Sequence, residues 1–128
     1  SSDTLENLTY LVENLPEVSF HIAAKTNVSD RLEAFKKYDN VTLYTNVHHD
    51  DIIEDLLDQS EIYLDINHWD QVDSIVDRAF EKGKPVFAFD NVVHRAELGA
   101  SVFSHQDPEM MVKEIQRQLF GIAVDTVN

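Results

Sequence analysis

The sequence has 128 residues, 43% of them hydrophobic, with 10 Lys or Arg against 24 Asp or Glu, a net charge of −14 and a pI near 4.5. That length suits one domain with a real core, so a single domain over 1–128 is expected, and the acidic balance disfavours nucleic acid as a partner. No cysteine is present, which excludes disulfides, thiolate catalysis and zinc–thiolate sites, and no apolar run approaches the ~18 residues of a bilayer span, leaving at most peripheral membrane contact.

The opening residues Ser-Ser-Asp-Thr-Leu-Glu lack the basic and apolar regions of a signal peptide. They read as a helix cap with no strand and no methionine before it, so the chain is expected to be a piece of a longer protein. Ser2 or Asp3 is the expected cap of a helix whose apolar residues Leu5, Leu8, Val12 and Leu15 share one face, ended by Pro16. A β-rich run follows from Val18 to Ala24, then an amphipathic stretch with Val28, Leu32 and Phe35 on one side. Val41 to Tyr44 predicts a second strand. Asp50 and Asp51 suit the start of a helix that carries Ile52, Ile53, Leu56 and Leu57 inward. Glu61 to Ile66 predicts a third strand, and Val72, Ile75, Val76, Ala79 and Phe80 a helix stopped by Gly83. Pro85 to Phe89 is the fourth strand. A loop with Arg95 and Glu97 then leads through Val102 and Phe103 to a closing helix begun by Asp107 and Pro108 and buried along Met111, Ile115 and Leu119.

Short strands alternating with helical stretches give βαβ units, hence a three-layer, Rossmann-like α/β fold with a parallel sheet. Ligands of such sheets bind beyond the carboxyl ends of the strands, which directs attention to the loops beginning at Lys25, Thr45, Asn67 and Asp90. The only glycines are Gly83, Gly99 and Gly121, so neither a dinucleotide fingerprint nor a P-loop can be written. A nucleotide held by helix N-termini and scattered side chains is still compatible.

The strings Val-Thr-Leu-Tyr-Thr-Asn-Val at 41–47, Ser-Glu-Ile-Tyr-Leu-Asp-Ile at 60–66 and Arg-Ala-Phe-Glu-Lys-Gly-Lys-Pro-Val-Phe-Ala-Phe-Asp at 78–90 resemble the C-terminal, nucleotide-sugar half of GT-B glycosyltransferases of the family-4 kind. The resemblance covers about half the chain, and together with the strandless start it leads one to expect that the first strand of the domain is missing. In that family two glutamates eight residues apart flank the donor, one near the sugar and one on the ribose. The matching positions here are Asp70 and Arg78, one shortened and one of opposite charge. Phe20 to Ala24, Tyr38 to Tyr44 and Ile62 to His68 are further similar to the non-catalytic, stabilising branch that partners the O-GlcNAc transferase of serine-rich adhesins. That resemblance implies an accessory, acceptor-binding, cytoplasmic subunit in complex with a catalytic glycosyltransferase, acting on an acceptor polypeptide, with a UDP-sugar as the alternative ligand and no cofactor. The competing implication is an active retaining UDP-sugar transferase.

Asp70 is accordingly the catalytic candidate, and Asn46, Asn67, His68, Arg78, Asn91 and His94 are candidates for a nucleotide-sugar or acceptor loop. Each has a plainer reading. Asn67-His68-Trp69-Asp70 is either a site loop or a structural loop with an aromatic anchor. Arg78 either meets a phosphate or pairs with Asp73, Asp77 or Glu81 on its own helix, the pairing being favoured. His94 and Arg95 either meet the sugar diphosphate or belong to a polar loop. His48-His49-Asp50-Asp51 reads as a solvated helix cap rather than a metal site, and His21 as a packed, hydrogen-bonded strand histidine. Tyr10, Tyr44 and Tyr63 read as core or core-edge aromatics.

Overall fold

The computed structural model describes residues 5–24, 30–45, 47, 49–67 and 75–121. In chain order the elements are α1 (Leu8–Asn14), β1 (Phe20–Ala23), α2 (Asp30–Glu33) running into a 3-10 turn (Ala34–Lys37), β2 (Val41–Tyr44), α3 (Asp50–Gln59), β3 (Tyr63–Asp65), α4 (Ile75–Glu81), β4 (Val86–Phe89), a second 3-10 turn (Ala96–Leu98), β5 (Ser101–Phe103) and α5 (Glu109–Phe120). Every strand pairing is parallel, β1 with β2 in one sheet and β3, β4, β5 in that order in another.

The pleat of β4 explains the layers. Successive side chains of a strand point to opposite faces, and all of Val86, Phe87, Ala88 and Phe89 are buried. Phe87 and Phe89 join a core with Leu11 and Val12 of α1 and Met111 and Ile115 of α5, whereas Val86 packs with Leu57 of α3 and Val76 and Ala79 of α4. Helices therefore cover both faces, as three layers require. Burying each phenylalanine is worth roughly 1.5–3 kcal/mol.

Local chemistry sets the boundaries. Gly83, at φ 75°, ends α4 in a Schellman motif: its N–H reaches the Phe80 carbonyl at 2.9 Å and the Lys84 N–H reaches Ala79 at 3.0 Å. The Asn40 amide donates to the carbonyls of Val12 and Leu15 at 3.2 and 3.1 Å, which holds the end of α1 against the entry to β2.

Four expectations are corrected. Helix α1 begins at Leu8, not near Ser2 or Asp3, and Leu5 forms an antiparallel bridge to Asn67 while the Glu6 N–H donates to the Ile66 carbonyl at 2.8 Å. The end of β3 offers backbone bonds that a longer helix would forgo, and Asn7, left-handed at φ 56°, makes the turn between the two. Ile52 is 39% exposed because Ile53 and Leu57 occupy the inward face of α3. Ser101–Phe103 forms a strand where a plain connection was expected. His21 is hydrogen-bonded, Nδ1 to the Tyr44 hydroxyl at 2.9 Å, but exposed instead of packed, since Phe20 takes the buried position beside it.

Candidate functional site

The last residue of β3 is Asp65, which is 2% exposed and the one charged residue buried among those described. A buried carboxylate demands partners, and Asp65 has them in the loop after β4. One oxygen accepts the His94 backbone N–H at 2.8 Å and the other meets His94 Nδ1 at 2.7 Å. An ionised carboxylate only accepts, so in this pair Nδ1 is the donor.

The same arrangement recurs one strand along. Asp90 follows β4 directly, and its Oδ1 accepts the His105 N–H at 3.0 Å and faces His105 Nδ1 at 2.7 Å. These bonds hold the Asp90 carboxyl below the usual carboxylate range. His105 also offers its carbonyl to the Asn7 amide at 2.9 Å, tying the β5 exit to the start of α1. Arg95, next to His94, is held by Asp77 of α4 at 2.5 and 2.7 Å and by Glu97 at 2.7 Å. The loop after β4 is thus fastened to β3 on one side and α4 on the other.

Of the predicted site residues, His94 and Asn67 stand at this edge, His94 on Asp65 and Asn67 as the exposed residue bridged to Leu5. Asn91 is exposed in the turn after β4. Arg78 is engaged elsewhere: its guanidinium donates to Glu54 of α3 at 2.9 and 2.7 Å, beside Lys82, which bonds Glu54 and Asp58. An ion pair of the favoured kind therefore exists, its carboxylate supplied by the neighbouring helix α3; Asp73, one of the expected partners, lies outside the described residues. Asn46, His68 and Asp70 lie outside the described residues. Among the described residues no group of three or more His, Asp or Glu could hold a metal ion, and no helix is long and apolar enough to cross a membrane.

His105 escaped the sequence reading, and Asp65 entered it only as part of the 65–68 loop, without its partner His94. The signal for Asp65 was present: a carboxylate inside the apolar run Ile-Tyr-Leu-Asp-Ile is paired when buried. Burial, with the Asp65 carboxylate adding to it, also raises the Tyr63 phenol well above its ordinary value, so Tyr63 stays neutral.

The likeness to known proteins agrees with this architecture. Residues 1–122 match the family described as the GftB/GlyA-F C-terminal domain. The chain is 41% identical over 123 residues to the UDP-N-acetylglucosamine–peptide N-acetylglucosaminyltransferase stabilizing protein GtfB of Streptococcus agalactiae, covering 94% of this chain and 27% of that protein. It is 40% identical over 121 residues to the glycosyltransferase GlyB of Streptococcus pneumoniae, covering 94% and 30%. Among solved structures, the GtfA/B complex bound to UDP and GlcNAc is similar with a TM-score of 0.82 at 35% identity, over 94% of this chain and 27% of that one. The glycosyltransferase GlyE of Streptococcus pneumoniae follows with 0.81 at 32%, over 89% and 30%. The chain spans less than a third of each of these proteins. Its parallel α/β fold is that of the C-terminal part of GT-B glycosyltransferases, and the chain belongs to the GftB/GlyA-F C-terminal domain family.

Proposed function

We propose that this domain is an accessory, glycosyltransferase-like part of a protein O-glycosylation complex, one that stabilises the catalytic subunit and binds the acceptor polypeptide, a serine-rich adhesin, in the cytoplasm. The observation that carries the reading is Arg78. It stands where the resembled family has its ribose-binding glutamate, and its guanidinium is committed to Glu54. A cation tied into a helix–helix ion pair accepts no hydrogen bond from a ribose hydroxyl, because a guanidinium has no acceptor. The name of the Streptococcus agalactiae relative, a stabilizing protein, supports the same role.

A second reading keeps catalysis. The pneumococcal relative is named as a glycosyltransferase, and on that reading Asp70 and the residues around 65–68 lie near a UDP-sugar donor. Calorimetric titration of UDP and UDP-GlcNAc into the full-length protein separates the two. The accessory role expects no saturable binding, and micromolar binding overturns it in favour of the transferase.

A further inference from the structure

An open parallel sheet takes its ligand beyond the carboxyl ends of its strands, and an anion bound there is met by free backbone N–H groups and by cations. In this molecule internal carboxylates hold those groups. Asp65 takes the His94 N–H and Nδ1, and Asp90 takes the His105 N–H and Nδ1. Arg95, in the loop after β4, is bracketed by Asp77 and Glu97.

Acceptors are left over at the outer end of this row. Asp90 Oδ1 serves both His105 donors, Oδ2 meets no donor among the described residues, and the side chain is 49% exposed. Held below the usual carboxylate range by the His105 bonds, this carboxyl is ionised at neutral pH. With Nδ1 donating to Asp90, the neutral His105 ring keeps a lone pair on Nε2, a further acceptor, and its side chain is 34% exposed. Asn91 stands exposed directly after Asp90.

A ligand group that only accepts, such as a phosphate, meets the like charge of Asp90 and donors already filled. A hydroxyl, which donates one hydrogen bond and accepts others, finds a charged acceptor in Oδ2 and an amide in Asn91. We propose, on the acceptor-binding reading above, that Asp90, held by His105, selects an unmodified serine or threonine hydroxyl of a polypeptide at this edge and rejects its phosphorylated form. A phosphoserine carries a charge of about −1.5 to −2 and three acceptor oxygens, so it is repelled where the free hydroxyl donates.

Fluorescence anisotropy on the full-length protein tests this with a labelled peptide of Ser, Thr, Ala and Gly and with the same peptide carrying phosphoserine. The phosphopeptide should bind about tenfold more weakly. In Asp90→Asn, which keeps the shape and removes the charge, that ratio should shrink to about threefold or less, whatever happens to the absolute affinity. Asp90→Glu keeps the charge and should keep the discrimination. Glu61→Gln removes the same charge just ahead of β3, at the opposite end of the sheet, and should leave the ratio unchanged. Equal binding of the two peptides by the unaltered protein, or a ratio that Asp90→Asn leaves as it was, overturns the role of Asp90 while the acceptor-binding reading stands. Loss of all binding in both Asp90 variants overturns it as well, as does displacement of the peptide by GlcNAc, which assigns the edge to a sugar. Binding of neither peptide sinks both readings, and UDP binding with the peptide ratio intact sinks the accessory role alone.

Discussion

The two sheets are built from strands of similar length and differ in what surrounds them. Every residue of β4 is buried, with a partner strand on each side and helices on both faces, whereas β1 alternates between buried and less buried residues and has one partner strand among the described residues. The difference teaches that burial here follows position in the sheet more than strand composition. Phe-His-Ile-Ala and Val-Phe-Ala-Phe are both β-rich, and only the strand with neighbours on both edges is closed from water.

Substitutions can break that contrast. Phe89→Ala removes a side chain with 0% exposure and should cost about 3–5 kcal/mol in urea unfolding. Ile22→Ala, in the half-buried β1, should cost less than about 2 kcal/mol, the lower end for fully buried isoleucines. Equal losses at the two positions would erase the difference between the sheets. Between them in size falls Asp65→Ala, which leaves the His94 N–H and Nδ1 without their acceptor and should cost roughly 1–3 kcal/mol. Asp65→Asn should recover part of this, since the amide oxygen still accepts one bond.

Smaller effects belong to the surface. Lys82 and Arg78 hold the Glu54 carboxyl below its ordinary value. A depressed carboxylate contributes stability that is present above its unfolded pKa and lost as pH falls through the folded one. Glu54→Gln should therefore lower the melting temperature slightly at pH 7, not at pH 3, and the difference should shrink in salt. His105→Ala should do the same through Asp90, whose carboxyl is depressed by the His105 bonds, with the smallest shift of the set. A pH-independent loss in either variant would mean that packing, not charge, is at stake.

Much of the architecture was legible because it is written in local patterns. The apolar runs of β1 to β4, the Gly83 stop and the Asp107-Pro108 start of α5 each rest on a few adjacent residues. The strand β5 was not, since Ser-Val-Phe has too few apolar residues and owes its form to pairing with β4. Leu5 misled because its spacing from Leu8 fits a helix, while its actual bridge is to Asn67, a residue no local pattern brings near. The candidate site was legible only in part. His94 was visible as a loop histidine, but its partner lies 29 residues upstream in another strand. Arg78 was visible as an ion-pairing residue, but Glu54, which accepts from it, is 24 residues away on α3.

The fastening of the loop after β4 bears on affinity. With His94 anchored to Asp65 and Arg95 to Asp77 and Glu97, the backbone of this loop is ordered when the domain folds. Any ligand that docked at this edge would lose less entropy than it would by ordering a slack loop, a saving of about 0.5–1.5 kcal/mol for each long side chain already held. The three carboxylates that fix the loop thereby place the cost of ordering it in folding.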